Sequence, residues 1–238
     1  MLLRELLVGL DALEVLGDPG VEITAITHDS LQVGAGSLFC CVSGAHHDGH
    51  DFAATAGAAG VLVEHMIDGL TVPQIRVRSV RESMGPLASA LYGHPSRSMA
   101  VLGVTGTNGK TTTTYMLESI AKAAGMGSGV IGTVEVRLPG KATSGNLTTP
   151  EATDLQRILA DMRDRGVKVV AMEVSSHALS VHRIDGIWFN AVCFTNLSRD
   201  HLDFYRDLDE YFAAKLSLFD PARAAAAACN LDDRHGVE

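Results

Sequence analysis

Short apolar runs recur along the chain: SLFCCV (37–42), GVLVE (60–64), PQIRV (73–77), MAVLGVT (99–105), KVVAMEV (168–174), NAVCFTN (190–196) and AAAACN (225–230). Stretches of helical periodicity separate them. That alternation predicts a layered α/β fold whose parallel strands are buried on both faces. The opening MLLRELLVGLDALEV carries Arg4, Glu5, Asp11 and Glu14 among apolar positions and reads as an amphipathic helix. Further helices are expected over 81–92, over 110–125 with apolar residues at 116, 117, 120, 121 and 124, and over 209–219. VIGTVEVR (130–137) reads as one strand. No period repeats. The polar, Gly- and Pro-containing stretch YGHPSRSM (92–99) is the best boundary, giving domains of about 1–97 and 98–238.

Charge narrows the partners. A formal net charge of −9 over 238 residues argues against a nucleic-acid or anionic-membrane surface, so any phosphate must be met locally. No apolar run is long enough to span a membrane, and the charged opening helix is no signal peptide. Cys40, Cys41, Cys193 and Cys229 form no C-x-x-C pair, which points to a reduced, cytoplasmic compartment. The Asn-x-Ser/Thr matches at Asn146 and Asn196 are then chance.

GVTGTNGKTT (103–112) ends like a phosphate-binding loop but has Val104 where the common G-x-x-x-x-G-K-[ST] pattern has glycine. It stands between a strand and a helix, so a helix N-terminus would face an anion. Lys110 would neutralise phosphates, Thr111 would offer a hydroxyl to Mg²⁺, and Gly106 and Gly109 would admit a close backbone approach. The competing reading is a glycine turn before a Thr-capped helix. A second pattern, GSGVIG (127–132), follows a helix and enters a strand, the reverse of the dinucleotide fingerprint, and reads as turn chemistry.

Polar residues gather where strands end. Glu173 closes KVVAMEV, where it is either a Mg²⁺ ligand or a solvated strand end. Asn196, Arg199, Asp200, His201 and Asp203 follow the next strand. Lys215 has Tyr211, Phe212, Leu218 and Phe219 as its helical neighbours, so it lies on an apolar face. It either snorkels to water or is desolvated and more easily deprotonated, open to chemical modification. His46, His47, Asp48, His50 and Asp51 could be a zinc site, although no helical spacing fixes a geometry. Trp188 and Phe189 read as core or groove packing beside a strand.

GVTGTNGKTTT, NLTTPEA, MEVSSHAL, HRIDG, FTNLSRDHLDFY and EYFAAKLSLF occur in the order and spacing of the Mur ligases, which the chain resembles over nearly its whole length. THDSLQVGAGSLFCCVSGAHHDGHDF resembles that family's uridine-nucleotide domain. The resemblance implies a small α/β UDP-sugar-binding domain, then an incomplete parallel-sheet ATP-binding domain. It implies ATP-dependent addition of a diamino acid, by default meso-2,6-diaminopimelate, to UDP-N-acetylmuramoyl-L-alanyl-D-glutamate through an acyl phosphate. ATP would be held by Gly106, Thr107, Asn108, Gly109, Lys110, Thr111 and Thr112. Thr111 and Glu173 would hold one Mg²⁺, and His201 with a carbamylated Lys215 a second. Ser30, Thr148, Thr149, Ser175 and Arg183 would hold the UDP-sugar, and a monomer is expected.

Three departures accompany the match. Asp29-Ser30-Leu31 stands where the family usually has Asp-Ser-Arg, and Val181 where a glutamine precedes the arginine by two residues. The chain stops after AAAACN, about half the family's usual length, which suggests a fragment or truncated product of a three-domain ligase with an unpaired sheet edge. Competing readings are a non-catalytic remnant that binds UDP-sugar or nucleotide, and another Mur-type ligase acting on folate or a different peptide.

Overall fold

A computed structural model of the chain describes residues 1–44, 47–145 and 147–237; His46 of the histidine cluster and Asn146 of the first sequon lie outside them. A one-turn helix α1 (Leu3–Leu6) precedes strands β1 (Glu14–Leu16), β2 (Ala25–Thr27), β3 (Ser37–Cys40), β4 (Gly60–Val63) and β5 (Gln74–Arg76), and α2 (Val80–Leu91) follows. These strands form one sheet in the order β1-β5-β4-β3-β2. All its pairings are parallel except β1 with β5. Strands β3 and β4 are buried throughout, as continuous apolar runs require.

The second sheet begins with β6 (Ala100–Thr105), followed by α3 (Lys110–Ala123), β7 (Ser128–Ile131), β8 (Glu135–Leu138), β9 (Lys141–Ser144) and α4 (Ala152–Asp164). Then come β10 (Val169–Glu173), α5 (Ser176–Ser180), β11 (Ala191–Phe194), α6 (Leu208–Leu216) and β12 (Ala227–Cys229). The strand order is β12-β11-β6-β10-β7-β8-β9. The first five of these strands are parallel, and β8 and β9 add an antiparallel hairpin. This is the layered α/β architecture that the apolar runs predict. β12 is exposed at every position and lies at the sheet edge.

Two expectations fail, and the apolar positions of a third predicted element are only partly buried. The opening helix ends at Leu6 and not near residue 15. Gly9 takes a left-handed φ of +84°, which stops the helix, and the chain then gains strand hydrogen bonds, with Leu13 N–H donating to Arg76 O (2.8 Å) and Glu14–Leu16 pairing with β5. VIGTVEVR is two strands, because the chain reverses at Gly132–Val134 and β8 returns antiparallel on β7. The apolar positions of α3 divide between the two sides: Met116 and Ile120 are exposed, while Ala121 is buried along with Thr114 and Glu118. Glu118 is held there by ion pairs to Arg137 of β8 and Lys122, so polar pairing with the hairpin overrides the hydrophobic stripe.

The two sheets share a packed junction. α2 lies on α4, and Ala152 of α4 belongs to the same apolar cluster as Met84, Leu87 and Ala88 of α2. His28 Nδ1 and Thr153 Oγ1 stand 2.9 Å apart, and Ser89 Oγ donates to Gly186 O (3.0 Å). At Gly85 an added Cβ would collide with the carbonyl oxygen of Asp185 and lie 3.1 Å from its carbon. Gly85→Ala should therefore destabilise by about 1–3 kcal/mol in thermal or urea unfolding, although alanine is the better helix former. Equal or greater stability of the variant would show that this close approach does not hold the junction.

Candidate active site at the ends of the central strands

β6 is the middle strand of the parallel group, flanked by β11 and β10. Residues 106–109 turn from its end into α3, and Gly109 caps the helix at φ +86°. Lys110 folds back over the turn and donates to Gly106 O (2.8 Å) and Thr107 O (2.9 Å). The loop after β11 encloses the turn from the other side. Thr107 N–H donates to Asn196 O (2.8 Å), and Thr107 Oγ1 accepts from Ser198 N–H (3.0 Å) and lies 3.2 Å from the Tyr211 hydroxyl. A Cβ on Gly106 would collide with Thr195 Oγ1 and come within 3.0 Å of Asn196 N. The missing side chain at 106 therefore makes room for this neighbouring loop.

Glu173, at the end of β10, is 1% exposed, which removes the reading of a solvated strand end. Its Oε1 accepts from Thr111 Oγ1 (3.0 Å) and from Thr133 N–H (3.0 Å), and its Oε2 from Thr133 Oγ1 (3.1 Å). Thr133 Oγ1 is also 3.0 Å from Thr148 Oγ1. The Glu173 carbonyl accepts from Thr149 Oγ1 (2.9 Å), which in turn accepts from Ser175 N–H (3.1 Å). Arg183 donates to Thr149 O (3.3 Å) and pairs with Glu151 (2.8 Å). One continuous chain of hydrogen bonds thus joins Thr111, Glu173, Thr148, Thr149, Ser175 and Arg183. Thr112 is exposed in the first turn of α3.

Lys215 is also 1% exposed, so its ammonium does not snorkel to water. Its Nζ donates to Gly106 O (3.1 Å) and lies 4.3 Å from the centre of the Tyr211 ring. The Gly106 carbonyl oxygen therefore serves two lysines. Burial first, and then the nearby Lys110 charge, push the Lys215 pKa down to about 7. Lys110 is lowered as well, by burial, with Glu173 and Asp200 opposing the shift. His201, with φ +53°, sets its ring 5.8 Å from Tyr211 and 4.7 Å from His177. His201 and Lys215 each approach the Tyr211 ring.

Ser30 is not part of this group. It opens a 3₁₀ turn, Ser30–Gln32, capped by Asp29, on the first sheet's side, and lines a cleft of about 320 Å³ with His28, Phe39, His47 and Phe52. Leu31 beside it is 93% exposed. The nearby His50 is committed internally: Nδ1 is 2.5 Å from Asp48, and Nε2 accepts from Glu64 N–H (3.0 Å). No ring nitrogen of His50 is left for zinc. Phe189 is core, and the Trp188 indole carries the Arg97 guanidinium at 4.3 Å. A cleft of about 520 Å³ beside Trp188, Arg97 and Arg223 lies at the opposite ends of the strands from the glycine turn, so cavity size does not mark the chemistry.

Thr133, Thr195 and Glu151 belong to the site and are not singled out by the sequence, and Tyr211 reads there only as an apolar neighbour of Lys215. Thr133 sits in a turn that reads as strand, and the others act through hydrogen bonds that have no spacing signature. Only the position of T-N-L-S directly after a parallel strand pointed to the turn.

The depressed Lys215 pKa sets a pH dependence. Unfolded, the group titrates near its ordinary 10.5, and folded near 7. Below about pH 7 both states are protonated and the full cost of burying the charge is present; from 7 to 10.5 the native state loses its proton first, so stability rises with pH. Lys215→Met should gain most over wild type at or below pH 7 in CO₂-free buffer, with the gain fading toward pH 10 in urea melts. A pH-independent difference would contradict a buried ammonium.

Models of two protein families match the chain: the Mur ligase middle domain over residues 104–238 and the Mur ligase family catalytic domain over residues 22–92. A UDP-N-acetylmuramoyl-L-alanyl-D-glutamate--2,6-diaminopimelate ligase of Streptomyces coelicolor is 45% identical over 92% of this chain and 44% of its own length. The ligase of the same name from Geobacter sulfurreducens is 42% identical over the whole chain and 49% of its own length. A solved structure of a ligase bearing that name superposes with a TM-score of 0.83 at 25% identity, covering all of this chain and 48% of that one. The chain thus spans about half the length of the relatives it matches. With both family models and these identities in agreement, the chain belongs to the Mur ligase family.

Proposed function

We infer that the chain is the nucleotide- and UDP-sugar-binding part of an ATP-dependent amide ligase. This ligase adds a diamino acid, 2,6-diaminopimelate as in the named relatives, to UDP-N-acetylmuramoyl-L-alanyl-D-glutamate in peptidoglycan synthesis. The observation that carries the reading is the convergence of Lys110, Thr111, Glu173 and Lys215 around one glycine turn. Residues 1–97 and 98–238 serve as its domains, and the cytoplasm, where nucleotide-sugar and ATP meet, as its compartment. A monomer suffices, since every group named comes from one chain.

Residues 106–112 hold the ATP phosphates. Lys110 exchanges its carbonyl partners for phosphate oxygens, which restores a full charge partner to a partly desolvated ammonium. The donor set fits Mg²⁺. Glu173 offers hard carboxylate oxygens, and the Thr111 hydroxyl keeps its lone pairs free while its proton is donated to Glu173. Lys215 as an amine does not fit that ion, but its neutral form adds CO₂, losing a proton and gaining a carbamate carboxylate that does. It would then hold a second ion together with His201. Bound Mg²⁺ would draw the substrate carboxylate and the γ-phosphate together despite their charges.

The remaining steps belong to the chain and its substrates. Arg183, Ser175, Thr148 and Thr149 orient the muramoyl dipeptide, and Ser30 lines the uridine end. The glutamyl carboxylate attacks the γ-phosphorus and ADP leaves. The incoming amine then attacks the acyl carbon and phosphate leaves. Lys110→Ala should weaken ATP binding to the 238-residue chain about tenfold or more by calorimetry. In ¹³C-bicarbonate the wild-type chain should show one carbamate carbon by NMR that Lys215→Ala lacks. Unaltered ATP affinity in the first variant, or an unchanged spectrum in the second, would overturn the corresponding assignment.

A further inference from the structure

The Asn196 side chain does something that the ligand roles above leave unused. Its Oδ1 accepts from Asn108 N–H (3.0 Å) and its Nδ2 donates to Asn108 O (3.1 Å). A carboxamide carries one acceptor and one donor group in a fixed plane, as a peptide does, so Asn196 pairs with residue 108 as a strand neighbour would. The Thr195 hydroxyl adds a bond to the same Asn108 carbonyl (2.7 Å), and the Asn196 carbonyl takes Thr107 N–H (2.8 Å). From outside, Asn230 Nδ2 donates to Thr195 O (2.9 Å) and Asp233 accepts from Leu197 N–H (2.9 Å), so the gripping segment is itself held.

We propose that Asn196 is a positioning residue for the phosphate turn, fixing residues 107–109 in their anion-accepting conformation before any nucleotide arrives. A four-residue turn has no ladder of its own, and its N–H groups point in many directions unless something else satisfies part of them. Asn196 and Thr195 take both polar groups of Asn108. The first N–H groups of α3 have no intrahelical acceptors and remain for the ligand. The crowding at Gly106 has the same origin, because the turn can be gripped this closely only where residue 106 has no Cβ. The same segment continues through Ser198 to His201, so one loop shapes the phosphate turn and also carries a proposed metal ligand.

This inference rests on the phosphate-loop reading, and its test separates the two. ATP and adenosine are titrated calorimetrically into the wild-type chain, Asn196→Ala and Asn196→Asp, with amide hydrogen exchange followed at Asn108. Asn196→Ala should lose about tenfold or more in ATP affinity while adenosine changes little, and the Asn108 amide should exchange faster with β10 amides unaffected. Asn196→Asp keeps the acceptor, so it should retain Asn108 protection, yet it should still lose ATP affinity through its added negative charge. Equal losses for ATP and adenosine, or unchanged Asn108 exchange in Asn196→Ala, would overturn the role. Failure of the wild-type chain to bind ATP would count against the ligase reading alone, because the exchange measurement decides the grip without ligand.

Discussion

A single carbonyl oxygen, that of Gly106, accepts hydrogen bonds from two lysines, Lys110 beside it in sequence and Lys215 more than a hundred residues away. Two ammonium groups on one acceptor repel each other, and in a dry setting that repulsion is not screened by solvent. The arrangement holds because each lysine is fixed from behind, Lys110 by the first turn of α3 and Lys215 by the aromatic and aliphatic face of α6. Its consequence is chemical. Burial pushes both side chains toward losing charge, and at Lys215 the Lys110 charge adds to it, which leaves Lys110 eager for an anion and Lys215 with a neutral amine available near pH 7.

The rest of the site is arranged around that turn by the order of the strands. β6 lies between β10 and β11, so the glycine turn is flanked by Glu173 on one side and by the Thr195–Ser198 segment on the other. Glu173 is buried, and its carboxylate accepts three hydrogen bonds from Thr111 and Thr133. Its backbone carbonyl continues the network through Thr149 to Ser175 and Arg183. The junction of α2 with α4 then sets the first sheet, with Ser30 and its cleft, against this network.

Much of this was legible in the sequence because burial leaves a signature. The apolar runs marked the parallel strands, and strand-glycine-helix order marked the turn. Helical counting placed Lys215 on an apolar face, where the structure buries it. What was not legible depended on competition that the sequence does not price. The opening helix gives way to β1 because Gly9 and the β5 edge outbid its periodicity. The outward Met116 and Ile120 reflect ion pairs to a hairpin that read as one strand. Asn196, placed by the sequence among the polar groups that follow β11, acts through a side-chain amide that imitates backbone, and no spacing rule encodes that.

A crystal structure of the chain with ADP bound would test the central claim, that the phosphate turn is built before its ligand. Lys110 Nζ should leave Gly106 O and Thr107 O for a phosphate oxygen, while Lys215 stays on Gly106 O and residues 106–109 keep their contacts with Thr195 and Asn196. A turn that refolds around the nucleotide and breaks those contacts, or ADP bound away from it, would contradict the claim.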